Sequence, residues 1–368
     1  MALNILVTGG AGYIGSHTCK ALAAAGYNPI VLDDLSTGHR WAVKWGPLLV
    51  GNIGDPALVS RTIERFGIRL TVHFAAHAYV GESIEQPRKY FDNNVGKTLA
   101  LLDALLDAGV DKFVFSCSCA TYGIPRVLPI AEHHPQLPIN PYGASKLFLE
   151  NVLQWYERAY GLRYASLRYF NAAGADPDGE LGEDHTPETH LIPLVIAAAQ
   201  GSNPPVEVFG NDYDTPDGTA VRDYVHVCDL ADAHVKAVDR LLAGASSPSI
   251  NLGTGRGYSV REVISAVEKI SGRTVPVLEC DRRPGDPPAL IADPQLSRSV
   301  LGWTPMRSDL STIVRTAWDW HQRSALATEG ARACQPSSVA ETLRFLRNEA
   351  LQLWNRDAAL GRRPSTFE

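Results

Sequence analysis

A tyrosine and a lysine stand four residues apart in Tyr142-Gly143-Ala144-Ser145-Lys146. On a helix that spacing puts both side chains on one face, the ammonium beside the phenol. An ordinary phenol has a pKa of about 10, so a phenolate base at neutral pH needs a shift of roughly 3 units, or about 4 kcal/mol. A lysine and a second nearby cation supply stabilisation of that sign. Upstream, Phe113-Val114-Phe115-Ser116-Cys117-Ser118 reads as a buried strand ending in hydroxyls, at the carboxyl end where ligands of open α/β sheets sit. Ser118 can there hydrogen-bond a substrate hydroxyl and relay its proton to Tyr142.

Other chemistries find no support. The chain has no Ser/His/Asp hydrolase elbow, no paired glycosidase carboxylates and no His-Glu-x-x-His zinc motif. Its eleven histidines are dispersed, so surface or core roles suit them better than ligation, and no metal is expected. Cys117 and Cys119 alternate at strand spacing and share a face, but no second pair completes a metal site.

The chemistry needs an acceptor, and the N-terminus offers one. Leu3 to Val7 reads as a strand running into Thr8-Gly9-Gly10-Ala11-Gly12-Tyr13-Ile14-Gly15-Ser16 and then a helix. Gly10, Gly12 and Gly15 satisfy one dinucleotide spacing; Gly9, Gly12 and Gly15 satisfy another. Either set lets the backbone approach a pyrophosphate at the helix N-terminus. The next strand ends in Asp33, where a carboxylate binds the ribose hydroxyls of NAD and repels the extra phosphate of NADP.

These groups need a scaffold. From residue 3 to about 170, β-rich runs (Asn4–Val7, Ile30–Asp33, Leu70–Ala75, Lys112–Ser116, Tyr164–Arg168) alternate with helical ones (Ser16–Ala25, Asn94–Ala108, Tyr142–Tyr160). That alternation predicts an α/β fold, a Rossmann-type doubly wound parallel sheet. Beyond 171 turn-rich segments interrupt shorter elements, as in a smaller mixed α/β substrate lobe. The expected division is 1–171 for the NAD-binding domain and 172–323 for an interleaved substrate lobe. In the extension at 324–368, Ser338-Val339-Ala340-Glu341 fits a capping box, and the apolar spacing after it predicts one amphipathic helix. With 368 residues, 45% hydrophobic content and a formal charge of −6, the chain is globular and has no long-range attraction for nucleic acid or anionic membrane. The absence of an apolar run of transmembrane length and the direct entry into a strand predict no leader. The six scattered cysteines fit a reducing cytoplasm.

Together these motifs resemble the extended short-chain dehydrogenase/reductases, and more narrowly the UDP-glucose 4-epimerase family, from about residue 3 to 323. Narrower matches include Val80-Gly81-Glu82-Ser83, Asn140-Pro141-Tyr142-Gly143-Ala144-Ser145-Lys146, Phe209-Gly210-Asn211-Asp212-Tyr213, Gly218-Thr219-Ala220-Val221-Arg222-Asp223-Tyr224 and Arg282-Arg283-Pro284-Gly285-Asp286. The resemblance implies an NAD-dependent isomerase that oxidises C4 of UDP-glucose or UDP-galactose, lets the 4-keto sugar turn, and reduces its other face. It implies that Tyr142 is the base, Lys146 its electrostatic partner and Ser118 the hydroxyl sharing the proton. The NAD positions it implies are Gly9, Gly12, Tyr13, Ile14, Gly15, Asp33, Asn52, Ile53, Phe74, Ala75, Asn93, Ser118, Tyr142, Lys146 and Phe170. Substrate positions are Ser118, Tyr142, Tyr169, Asn171, Leu191, Arg222, Tyr224, Arg283, Asp286 and Leu290. Two arginines suit a diphosphate, and the Asn171 amide suits a uracil edge. Arg282 stands next to Arg283 and could serve in its place, and Arg222 could instead pair with neighbouring Asp223.

Four positions depart from the family pattern. Asn52 replaces an aspartate near the adenine, Ala78 a lysine, and His190 an asparagine near the phosphates. Leu290 replaces a bulky tyrosine, which predicts tolerance of an N-acetyl group at C2. A nucleotide-sugar dehydratase or decarboxylase, sharing the first hydride step, is disfavoured because Cys119 and Ala120, after Ser118, supply no acid for elimination. A uronic-acid or pentose epimerase stays open, as does a non-catalytic NAD sensor. The family pairs as a homodimer through helices corresponding to 94–108 and 142–160; Ala100, Leu101, Ala104 and Leu105 suit that packing or burial against the sheet.

Overall fold

The computed structural model describes residues 2–283 and 285–333. Its strands are β1 (Asn4–Thr8), β2 (Asn28–Asp33), β3 (Leu48–Val50), β4 (Leu70–His73), β5 (Lys112–Ser118), β6 (Arg163–Tyr169), β7 (Asn171–Ala173), β8 (Val206–Phe209), β9 (Val221–Arg222), β10 (Tyr224–His226), β11 (Ser249–Leu252), β12 (Tyr258–Ser259), β13 (Val277–Cys280) and β14 (Ala289–Leu290). The helices are α1 (Tyr13–Ala24), α2 (Pro56–Phe66), α3 (Val80–Glu85), α4 (Pro87–Tyr90), α5 (Lys97–Asp107), α6 (Pro141–Tyr160), α7 (Leu191–Gln200), α8 (Val227–Leu242), α9 (Val260–Ser271), α10 (Gln295–Leu301) and α11 (Leu310–Ala333).

Seven strands form one parallel sheet in the order β11-β6-β5-β4-β1-β2-β3. Strand polarity explains its two covered faces. Ile5 and Val7 point into one apolar layer with Cys19 and Leu22 of α1 and Leu230, Ala237 and Leu241 of α8. Leu6 points into the other, with Ile63 of α2, Leu101 and Leu105 of α5 and Leu149 and Leu153 of α6. Period-two alternation in buried strands therefore recruits helices to both sides. The strand order reverses between β1 and β4, the place where a doubly wound sheet leaves a crevice at its carboxyl edge.

The edge strand β11 comes from beyond residue 171, so the later chain completes the first sheet as well as building smaller ones. Those are β10-β7, β12-β9-β14 and β13-β8. Residues through Trp320 cluster as one compact unit and those from His321 as another. The amphipathic helix expected after Ser338 lies outside the described residues.

Two local differences from the sequence reading have physical causes. The helix expected over 94–108 opens with a π-helical turn at Phe91–Gly96 before α5. In that turn the buried Asn94 amide bonds both the N–H and the C=O of His77 (2.8 and 3.0 Å) and reaches Ser145 Oγ at 3.2 Å. Cys119 does not continue β5: a 3-10 turn begins there, with Ser118 Oγ accepting from the Ala120 N–H at 3.1 Å. Cys117 and Cys119 consequently pack in different apolar clusters.

Candidate active site

The glycine turn is shaped by its own packing. Gly9 has φ +72°, and a Cβ there would meet Ala75 N at 2.5 Å across the switch point. A Cβ on Gly15 would lie 2.2 Å from the Gly9 carbonyl, so α1 can approach the turn only with glycine at that position. Gly12 differs. Its Cβ would meet nothing closer than 3.4 Å, and it caps α1 without a side-chain bond. The fold tolerates a methyl there; what glycine leaves open is the space over the first amides of α1, at Tyr13 and Ile14, which lack intrahelical acceptors.

Asp33 closes the other end of this groove. Its Oδ2 accepts from Ala11 N–H at 2.9 Å and its Oδ1 from Leu35 N–H at 2.8 Å. Each oxygen keeps a lone pair for a ribose hydroxyl. Burial raises the Asp33 pKa, and these amides oppose the rise. Asn52 donates to Asp34 at 3.2 Å, and Ile53 is buried below it. Phe74 packs on His234, while Asn93 accepts from Lys97 at 3.1 Å in the π turn. A glycine cradle open at Gly12, a helix start and an acidic strand end fit a dinucleotide.

The reacting groups converge by a simple route. Asn140 caps α6 by accepting from Gly143 N–H at 2.8 Å, Pro141 takes the first turn, and Gly161 at φ 74° ends the helix. Tyr142 is thereby fixed in the first turn, and Lys146 follows one turn on. Both are buried. Lys146 Nζ donates to the Ser116 carbonyl at 2.9 Å and lies 5.8 Å from the Tyr142 ring centroid. Burial pushes the Tyr142 phenol well up, Tyr169 adds to the rise, and a hydrogen bond with Ser118 opposes it. The same burial brings Lys146 down to about 8. Ser118 and Tyr169 are register partners on β5 and β6, and the Tyr169 hydroxyl pairs with Ser116 Oγ.

The predicted substrate residues gather nearby. Tyr224 and Asn171 are register partners on β10 and β7. Leu290 is the register partner of Arg222 on β14 and β9, and it packs in one cluster with Phe170 and Cys119. Arg222 pairs with Asp286 at 2.5 Å, not with Asp223, whose buried carboxylate instead accepts from Thr254, Gly255 and Ala292. The neighbouring arginines separate too. Arg282 donates to Asp212 at 2.6 Å and covers Tyr213; Arg283 lies 3.8 Å over the Phe209 ring, with no carboxylate partner among the described residues. Leu191 opens α7 directly after His190.

Two networks escaped the sequence reading. Behind Ser118, Glu150 and Arg168 form a buried pair, with Ser166 donating to Glu150 at 2.6 Å and Arg168 donating to the Tyr122 hydroxyl at 2.7 Å. Charges inside the apolar runs Phe148-Leu149-Glu150 and Ser166-Leu167-Arg168 were the available signal. The histidines are also less dispersed than expected: His185 and His190 converge with Glu183 and Glu188. Burial works against both imidazolium ions, but these carboxylates prevail and raise His185 to about 9 and His190 to about 10.

Residues 5–253 match the NAD dependent epimerase/dehydratase family. A UDP-glucose 4-epimerase of Rhizobium meliloti (strain 1021) is 54% identical over 320 residues, covering 87% of this chain and 97% of its own. The crystal structure of UDP-glucose 4-epimerase from Brucella ovis in complex with NAD superposes with a TM-score of 0.85 at 56% identity, over 86% of this chain and 98% of that one. That of UDP-glucose 4-epimerase from Bifidobacterium longum in complex with NAD+ and UDP gives 0.83 at 39% identity, over 88% and 99%.

Proposed function

The chain belongs to the NAD dependent epimerase/dehydratase family, among its UDP-glucose 4-epimerases, and from that premise we propose how its residues interconvert UDP-glucose and UDP-galactose. NAD, when bound, supplies the transient two-electron oxidation of the sugar's C4. Residues 1–171 hold it and 172–323 mainly hold the UDP-sugar, with 324–368 an extension.

Tyr142 takes the C4 hydroxyl proton, directly or through Ser118, and returns it after the keto sugar has turned. Lys146 is fixed by the Ser116 carbonyl so that its charge supports the Tyr142 phenolate. Arg222, oriented by Asp286, and Arg283, placed on Phe209, grip the diphosphate, and Asn171 and Tyr224 flank the nucleoside. The arginine grip is on the UDP half, so the hexose stays free to rotate. Leu290, beside Phe170, leaves room for an acetamido group at C2.

The observation that carries this reading is the convergence of Ser118, Tyr142 and Lys146 at the carboxyl edge of β5. Purified protein given UDP-glucose with no added NAD should yield UDP-galactose by NMR; an unchanged sugar rejects the reading. UDP-N-acetylglucosamine offered separately should also turn over, and no product there rejects the tolerance assigned to Leu290.

We place the enzyme in the cytoplasm as a homodimer. The five described cysteines form no disulfide, and no described helix is long and apolar enough to cross a membrane. Phe148 and Trp155, two helical turns apart on α6, are 50% and 65% exposed, which supports an α6-centred contact between copies. Leu101 and Leu105 of α5 are buried in the protomer's own core instead.

A further inference from the structure

We propose that Glu183, His185, Glu188 and His190 form a binding site for one divalent transition-metal ion of the zinc class. The inference is independent of the epimerase reaction and routes no chemical step through the ion. Two imidazoles and two carboxylates suit such an ion better than calcium or magnesium, which prefer oxygen alone.

The geometry comes first. All four ligand atoms lie within 4.8 Å of one another. For metal–ligand bonds of 2.0–2.1 Å, a tetrahedron has edges of about 3.3 Å. Glu183 Oε1 lies 3.3 Å from His185 Nδ1 and 2.8 Å from His190 Nδ1. The two oxygens of Glu188 lie 3.1 Å from His190 Nδ1 and 3.7 Å from His185 Nδ1. With Oε2 as the Glu188 ligand, the separations of 2.8, 3.3 and 3.7 Å bracket the tetrahedral edge.

Burial points the same way. The Glu183 side chain is only 5% exposed, and its Oε1 meets His185 Nδ1 and His190 Nδ1 as ion pairs at 3.3 and 2.8 Å. Glu183 Oε1 and His185 Nδ1 both lie close enough to the other ligand atoms of the quartet to share one ion. Glu188 is held in place by donation from the Thr189 and His190 N–H groups to its Oε1 at 2.7 and 2.8 Å, which leaves Oε2 available. Two carboxylates match a divalent cation once the ion has displaced the protons of the two imidazoles. The nearby trio Asp176, Asp178 and Glu180 differs in that the Lys20 ammonium already sits among its carboxylates at 2.8, 2.7 and 2.9 Å.

The ion's role is positional. His185 stands edge-on to Tyr13 of the glycine turn and to Tyr79, at 6.2 and 6.0 Å between ring centroids. His190 immediately precedes α7 and Leu191. An ion here would lock the 183–190 segment against the start of α1.

The test uses full-length holoenzyme without a histidine tag, stripped with chelator and titrated with Co2+. The expected result is saturation at about one ion per chain, with the intense visible bands of tetrahedral cobalt and their displacement by Zn2+. His185→Gln should weaken Co2+ binding by at least about 10-fold, since even indirect partners of metal ligands carry that much. Because that variant could misfold, wild-type melting is measured as well: added Zn2+ should raise it and chelator should reverse the rise. Titration with no tetrahedral bands, melting indifferent to Zn2+ and chelator, or equal binding by His185→Gln would each overturn the site and leave a quartet of ion-paired imidazolium and carboxylate groups.

Discussion

Lys146 Nζ is bonded to the carbonyl of Ser116 at 2.9 Å, which fixes its charge 5.8 Å from the centroid of the Tyr142 ring. Burial favours the neutral form of both members of this pair, raising Tyr142 and bringing Lys146 down to about 8. The charged lysine is needed to support the phenolate, so activity should fall as pH rises through about 8 and Lys146 loses its proton. A pH profile of kcat/KM checks this. Lys146→Met should be inactive throughout, and Lys146→Arg, whose side chain stays charged, should show no such limb in its residual activity. An alkaline limb identical in Lys146→Arg would assign it to another group.

Removing the phenol isolates proton transfer from binding. Tyr142→Phe keeps the ring and its packing but has no proton to exchange, so kcat should fall by about 10²–10⁴. NAD released on denaturation should match wild type in amount. Unchanged kcat would remove Tyr142 from the reaction.

Two glycines of the same turn should separate folding from cofactor binding. A Cβ on Gly15 would meet the Gly9 carbonyl at 2.2 Å, so Gly15→Ala should lose about 1–3 kcal/mol through overpacking. Gly12→Ala meets nothing closer than 3.4 Å and should melt near wild type once both are stripped of NAD, yet retain little NAD on purification. Full NAD content in Gly12→Ala would mean that the pyrophosphate does not pass over that position.

Five strands of the first half were legible because they are buried, whereas β3, three half-exposed residues, and α2 after it were not read. Asn140, Pro141 and Gly161 mark α6 almost to the residue, and the glycine fingerprint itself supplies the first turn of α1, which the sequence reading began at Ser16. The short strands β9, β12 and β14 have two residues each, too few for a period to register, so the pairing of Leu290 with Arg222 emerges only in three dimensions. Partner choice was equally hidden. Arg222 has an acid next to it in sequence but binds Asp286, 64 residues on, because backbone amides and Thr254 already occupy Asp223. The Glu-x-His-x-x-Glu-x-His spacing at 183–190 was readable but matched no familiar motif; a loop had to fold for its four groups to meet.

The buried Glu150–Arg168 pair should matter to stability more than any surface ion pair. Burial raises the Glu150 pKa, but Arg168 outweighs it and holds the carboxyl below its ordinary value. Glu150→Gln strands the guanidinium and should cost about 3–5 kcal/mol in urea denaturation. The pH sign follows from the lowered value: the stabilisation is present above the unfolded glutamate range and fades as pH falls through the folded pKa. Wild type should therefore lose stability more steeply than the variant in the acid range, and parallel curves would show that the pair contributes no linkage.

Arg282 and Arg283 are chemically identical neighbours with opposite surroundings, which makes them a clean test of the diphosphate grip. Arg282 is spent on Asp212 and Tyr213, at an exposed position where a salt bridge contributes little. Arg283 is supported by the Phe209 ring and keeps its donors available. Arg283→Ala should weaken UDP binding by about 10- to 100-fold, the equivalent of one charge-assisted hydrogen bond of about 1.5–3 kcal/mol. Arg282→Ala should change it by less than about 3-fold, consistent with the loss of an exposed pair. Calorimetric titration of each variant with UDP decides the matter. Equal losses would mean that both arginines reach the phosphates, and a loss confined to Arg282→Ala would reverse the assignment.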